Sequence, residues 1–91
     1  MTSNNTAEGR GKDLEFPADI TFKSIFYNKP YIADTIVSII ADHDSGFALN
    51  SVESKNGKFI SFTITARCTS EENLQSLCHK ISSIEGFHMM F

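Results

Sequence analysis

The sequence predicts a small α+β domain built strand-helix-strand-strand-helix-strand, and three observations carry that expectation. Two segments, from Phe16 to Tyr27 and from Ile60 to Cys68, alternate apolar and polar residues at period two. Two others, beginning near Ile32 and Leu74, repeat their apolar residues at helical spacing. Turn and capping residues separate all four.

In the first segment Phe16, Ala18, Ile20, Phe22, Ser24 and Phe26 share one parity, and Asp19, Thr21, Lys23 and Tyr27 the other, as in a half-buried strand. Pro17 has no N–H to give a ladder, so pairing is expected to begin just after it. Asn28-Lys29-Pro30 is expected to open the first helix, with Asn28 or Lys29 as N-cap and Pro30 at or near the first helical position. Ile32, Ile36, Ile39, Ile40 and His43 then fall in one arc, Asp34, Thr35, Ser38 and Asp42 fall opposite, and Asp44-Ser45-Gly46 ends the helix.

Phe47 to Ser54 forms a weaker strand pattern, with Phe47 and Leu49 on one face. Lys55-Asn56-Gly57-Lys58 suits a hairpin turn, because Asn-Gly tolerates the two positive φ angles of a type I′ turn. In the strand that follows, Ile60, Phe62, Ile64, Ala66 and Cys68 point one way and Ser61, Thr63, Thr65 and Arg67 the other. Thr69-Ser70-Glu71-Glu72 matches a capping box with Thr69 as N-cap and Glu72 as N3. Leu74, Leu77, Cys78, Ile81 and Ile84 make the second helical stripe, Gly86 stops it, and Phe87-His88-Met89-Met90-Phe91 forms a last short strand. The order is that of a ferredoxin-like domain, a four-stranded antiparallel sheet with two helices on one face. Its open face should carry the polar parities, and by parity Phe87, Met89 and Phe91 should face the helices with Met90 on the open side.

Ninety-one residues make one domain, and a 41% hydrophobic, 21% charged composition is that of a folded globule. Residues 1–13 are expected to be a disordered tail and 14–91 the domain, since the tail is nearly devoid of apolar residues. Eight phenylalanines and no tryptophan imply a Phe-built core. A net charge of −3 argues against non-specific nucleic-acid or anionic-membrane binding. No apolar run approaches the roughly 18 residues of a membrane span, and residues 1–12 lack the apolar stretch of a signal peptide. A cytoplasmic location is therefore expected, with the Asn4-Asn5-Thr6 sequon unused. Cys68 and Cys78, outside any CxxC pattern, are expected to be reduced thiols, and neither a metal nor a cofactor is expected.

Catalytic constellations do not emerge. The stretch from Phe26 to Pro30 has neither the glycine-rich loop and arginine of a phosphate cradle nor the paired thiolates of a copper carrier. Cys78 and His79 are adjacent on a helix and diverge, and His43 suits a packed or capping role. The chain is therefore expected not to be an enzyme. An RNA-recognition-like domain is the alternative, because Asn56-Gly57-Lys58-Phe59-Ile60-Ser61-Phe62 faintly resembles the basic-glycine-aromatic run of such domains. Phe59 and Phe62 lie on opposite faces, however, which leaves Phe59 alone on the open one.

Leu14-Glu15-Phe16-Pro17 opening a strand, Phe22-Lys23 within it, Thr63-Ile64-Thr65 and the terminal Phe87-His88-Met89-Met90-Phe91 together resemble the YbeD-like family of small bacterial proteins. That resemblance spans about Leu14 to Phe91 and implies an ACT-like fold. ACT domains bind amino acids and regulate metabolic enzymes, usually as dimers, with the ligand near an Asp-x-Pro-Gly loop between first strand and first helix. Asn28-Lys29-Pro30-Tyr31 occupies that position here, with Tyr31 in the place of the glycine. The resemblance thus implies a non-catalytic regulatory or protein-interaction module that senses a small metabolite near Asn28, Lys29 and Tyr31. Apolar residues expected on the open face, Phe59 and Met90 with Ile25, make it the expected interface of a homodimer.

Overall fold

The computed structural model describes residues 15–91. The tail expected over residues 1–13 lies outside the described residues. Six elements follow in the predicted order: β1 (Ala18–Tyr27), α1 (Ile32–His43), β2 (Ala48–Glu53), β3 (Phe59–Cys68), α2 (Glu71–Ser82) and β4 (Phe87–Met90). The strands form one antiparallel sheet in the order β2-β3-β1-β4, so the two strongly alternating strands sit at its centre.

Inward residues of the central strands meet the isoleucine stripe of α1 and the leucine-isoleucine stripe of α2. Phe26, Phe62, Ile64, Ala66 and Cys68 from the sheet pack with Ile32, Ile36, Ile40, Leu77, Ile81 and Ile84 from the helical layer and the turn after it. Phe26 is the hub of the aromatic part, edge-to-face with Phe62 at 5.9 Å and with Phe87 at 5.6 Å. The core is the expected one, with Ser24 the one buried polar side chain among the described residues.

Three local expectations are corrected. α1 begins at Ile32, and its N-cap is Tyr31, which makes no side-chain capping bond. The Ile32 N–H donates to the Lys29 carbonyl at 3.2 Å, so Pro30 serves as the second residue of a turn, where its fixed φ fits equally well. At α2 the cap is Ser70, one residue after the expected Thr69. The Asn73 N–H donates to Ser70 Oγ at 3.0 Å, and Asn73 Oδ1 accepts from the Thr69 N–H at 2.9 Å, a reciprocal pair in which Asn73 replaces Glu72. The β2–β3 connection is longer than a two-residue type I′ loop. Its Gly57 N–H donates to the Ser54 carbonyl at 2.9 Å, and Gly57 takes φ +75°.

The fourth correction changes a face. β4 pairs with β1 through Ser24–Met90, Ile25–Met89 and Phe26–Phe87, with the register shifting between Ile25 and Phe26. One extra residue on β4 at that bulge reverses its parity. Phe87 and Met90 therefore both pack on the core, while Met89 (44% exposed) and Phe91 (66%) stand on the open side. Met90, expected on the open face, is a core residue.

Candidate binding face on the open side of the sheet

The open face has two halves. At one end Thr21 and Thr65 share a 2.8 Å hydroxyl hydrogen bond and Arg67 pairs with Asp19 at 3.4 Å, an exposed and weak ion pair. At the other end the polar parity gives way to Ile25, Tyr27, Val52, Phe59, His88, Met89 and Phe91. Of the exposed large apolar side chains, Tyr27, Val52, Met89 and Phe91 all belong to this half.

The register builds the centre of this half. Tyr27 and Phe59 are cross-strand partners on β1 and β3, with ring centroids 5.0 Å apart and planes at 32°. His88 at the bulge closes the triangle, 5.1 Å from Phe59 and 5.7 Å from Tyr27. Lys58 holds its ammonium 5.5 Å from the Phe59 ring centroid, and Lys23 lies 5.8 Å from that of Phe91. Beside Phe59 runs a groove of about 230 Å³ bordered by Lys23, Ile25, Val52, Glu53, Ser54 and Ser61. A more open depression of about 450 Å³ that also touches Phe59 is lined by Ser54, Lys55 and Asn56.

Backbone bonds fix the loops around the triangle. The Tyr27 N–H donates to the Gly86 carbonyl and the Asn28 N–H to the Lys58 carbonyl, both at 2.9 Å. The Asn28 side-chain amide donates to the Gly57 carbonyl at 3.0 Å. Three connections are thus tied at one corner, and the rings above them rest on a rigid base.

Of the residues expected to hold a metabolite, Asn28 is bonded into this corner, and the Tyr31 hydroxyl donates to the Glu85 carbonyl at 3.3 Å. Lys29 is exposed. The structure brings Asn28 to the aromatic corner through Gly57, and Tyr31 to the α2–β4 connection beside Gly86, which joins that corner through Tyr27. Of the residues expected at an interface, Phe59 lies at the centre of the open face and Met90 does not reach it. Tyr27 and His88 were missed as partners of Phe59. Tyr27 was legible as an outward residue of the first strand, but its pairing with Phe59 is a long-range register, and the position of His88 follows from the bulge.

Elsewhere, one thiol–imidazole contact invites a chemical test. Cys68 Sγ lies 3.6 Å from His43 Nε2. That nitrogen also lies 3.0 Å from the Arg67 carbonyl oxygen, which only accepts, so Nε2 carries the hydrogen and is not free to take a proton from the thiol. Burial pushes the Cys68 thiol up, with nearby Cys78 and Asp44 adding to the effect, and burial raises Cys78 too. Both stay as neutral thiols, whereas a nucleophile needs the thiolate. Among the described residues no group of three or more His, Cys, Asp or Glu is placed to hold a metal ion. No helix among them is long and apolar enough to cross a membrane.

The layering and topology define a ferredoxin-like domain of the ACT-like kind, with no helix among the described residues on the second face of its sheet. The chain belongs to the family described as protein of unknown function (DUF493), whose model matches residues 12–91. A UPF0250 protein of Bordetella pertussis is 37% identical over 67 residues, covering 70% of this chain and 74% of that protein. A UPF0250 protein of Shewanella amazonensis is 31% identical over 74 residues, covering 80% and 84%. Among solved structures, protein HP0495 from H. pylori shares the fold with a TM-score of 0.78 at 19% identity, covering 99% of this chain and 98% of that one. The ACT domain from the GTP pyrophosphokinase of Chlorobium tepidum matches with a TM-score of 0.59 at 15% identity, covering 81% and 97%.

Proposed function

We propose that this protein is a non-catalytic regulatory module and that it works by binding through the aromatic half of its open sheet face. The observation that carries this is the concentration of exposed apolar side chains there, Tyr27, Val52, Met89 and Phe91, around a groove and a rigid aromatic corner. A cluster of exposed apolar side chains beside a groove is the mark of a binding surface. The fold likeness to an ACT domain joined to a GTP pyrophosphokinase supports a regulatory role. The raised thiol pKa values and the donor state of His43 Nε2 weigh against cysteine chemistry.

Thermal-shift screening of a metabolite library that includes the amino acids, followed by amide NMR mapping of every hit, tests the proposal. Hits are expected to move the amides of Tyr27, Phe59, His88 and Met89. Hits confined to Asn28, Lys29 and Tyr31 would transfer the site to the β1–α1 loop and overturn the open-face assignment. Light scattering over a concentration series shows whether a second copy covers the face; a dimer that Met89→Lys dissociates would make the chain itself the partner. Turnover of a phosphate or ester substrate that survives repurification would overturn the non-catalytic role.

A further inference from the structure

The geometry points to a planar ring bearing an anionic group, of the chemistry of a nucleotide, as the ligand of the open face, with the ring stacked on Phe59 in the groove beside the Tyr27–Phe59–His88 cluster and the phosphate met by Lys23 and Lys58. This inference rests on the open-face assignment above and names what would occupy it.

Three observations select that chemistry. The first is shape and surface. The groove beside Phe59, at about 230 Å³, is smaller than the roughly 300 Å³ at which drug-sized ligand pockets begin, so it takes one ring, and the more open depression of about 450 Å³ that shares Phe59 and Ser54 with it leaves room for the rest at the solvent edge. Its walls offer the Phe59 ring and the aliphatic surface of Ile25 and Val52, and the Ser61 hydroxyl is already spent on the Val52 carbonyl at 3.3 Å. Such a site stacks a ring without reading its hydrogen-bonding edge.

The second is unpaired positive charge. Among the described residues the one ion pair joins Arg67 to Asp19 at the far end of the sheet. Lys23, Lys55 and Lys58 stand at the aromatic end with no carboxylate partner within 4.0 Å among the described residues, and two of them lie over rings, Lys58 over the half-buried Phe59 and Lys23 over the exposed Phe91. Glu53 is the one carboxylate bordering the groove.

The third is the division of charge between the two layers. The helices carry Asp34, Asp42, Glu71 and Glu72 against Lys80 alone. The chain's net charge of −3 therefore hides a sheet end of the opposite sign. A second copy laid on this face would bring its own three lysines against these three, which costs energy, whereas a phosphate-bearing ligand is complementary.

A nucleotide reaches such a site either free or as part of single-stranded RNA, and amide NMR titrations of the whole chain with AMP, with adenosine and with an eight-residue oligoadenylate separate the sources. AMP should move the amides of Tyr27, Phe59 and His88, bind more tightly than adenosine, and weaken as salt rises. Phe59→Leu should weaken binding about tenfold or more. Because Phe59 is half-buried, Tyr27→Leu is run beside it, and both variants are checked for an unchanged wild-type fold by their amide spectra. Equal affinity for AMP and the oligonucleotide assigns the free nucleotide; affinity that climbs with strand length assigns RNA. Absence of shifts with all three at millimolar concentration, shifts on the helical layer, or binding indifferent to both variants would overturn the inference. If the metabolite screen still yields a ligand on the same face, the ligand class falls and the open-face assignment stands.

Discussion

Met90 sits directly across the sheet from Ser24, and both side chains turn into the core. Their neighbours Met89 and Ile25 form the next pair and look the other way. Two consecutive methionines thus have opposite fates. Met90→Lys should destabilise the fold by about 2 kcal/mol or more, since it strands a charge against the core. Met89→Lys, on a side chain 44% exposed, should stay within about 0.5 kcal/mol of the wild type. Urea denaturation of the two variants followed by circular dichroism decides the matter, and equal losses would refute the bulged register.

Ser24 raises a second expectation. Its side chain is fully buried, and Oγ has no hydrogen-bond partner among the described residues. Burying an unpaired hydroxyl costs energy that alanine would not. Ser24→Ala should therefore raise stability by about 1 kcal/mol. A urea midpoint lower than that of the wild type would show that the hydroxyl has a partner.

Asp44, just past the end of α1, accepts hydrogen bonds from the backbone N–H of Arg67 at 2.8 Å and of Gly46 at 3.0 Å. Those two bonds, with lesser help from the His43 and Arg67 charges, hold its carboxyl below the ordinary value of 3.8. Folding therefore favours the ionised form. The stability this contributes is present above pH 3.8 and is lost as pH falls through the lower folded-state value. Asp44→Ala should melt below the wild type at neutral pH, and the gap should close as the pH drops under 3.8. A gap that stays constant down to pH 2 would mean that ionisation of Asp44 plays no part.

How much of this was legible in the sequence varies with the range of the forces involved. The order of elements, the core parities of β1 and β3 and the isoleucine stripe of α1 follow from local periodicity, and the structure keeps them. Helix starts shifted because two capping solutions lay one residue apart: Ser70 with Asn73 satisfies the Thr69 N–H that Glu72 would have taken, and the Asn73 N–H in place of that of Glu72. Pro30 suits a turn and a first helical turn alike, and only the Ile32–Lys29 bond chooses between them. The binding face was half legible. Phe59 is outward by parity, but Tyr27 joins it through a pairing 32 residues apart in sequence, and His88 joins through a bulge that no residue type in β4 announces.

The last prediction concerns what holds the domain together. Phe62 is 1% exposed, lies opposite Ser24 on one side and Ser51 on the other, and meets Phe26 edge-to-face. Its small cross-strand neighbours leave the ring as the main filler between the sheet and the helices. Phe62→Ala should cost roughly 3–5 kcal/mol, the range for a phenylalanine truncated in a core that collapses only partly around the gap. For a domain under about 100 residues a loss of this size lowers the melting temperature by well over 10 °C. Deleting residues 2–13 should by contrast leave the melting temperature almost unchanged, because that stretch offers little apolar surface to bury. With no tryptophan in the chain, far-ultraviolet circular dichroism is the suitable probe for both. If the deletion proves the more damaging of the two, the first thirteen residues contribute to the core and Phe62 is not its principal filler.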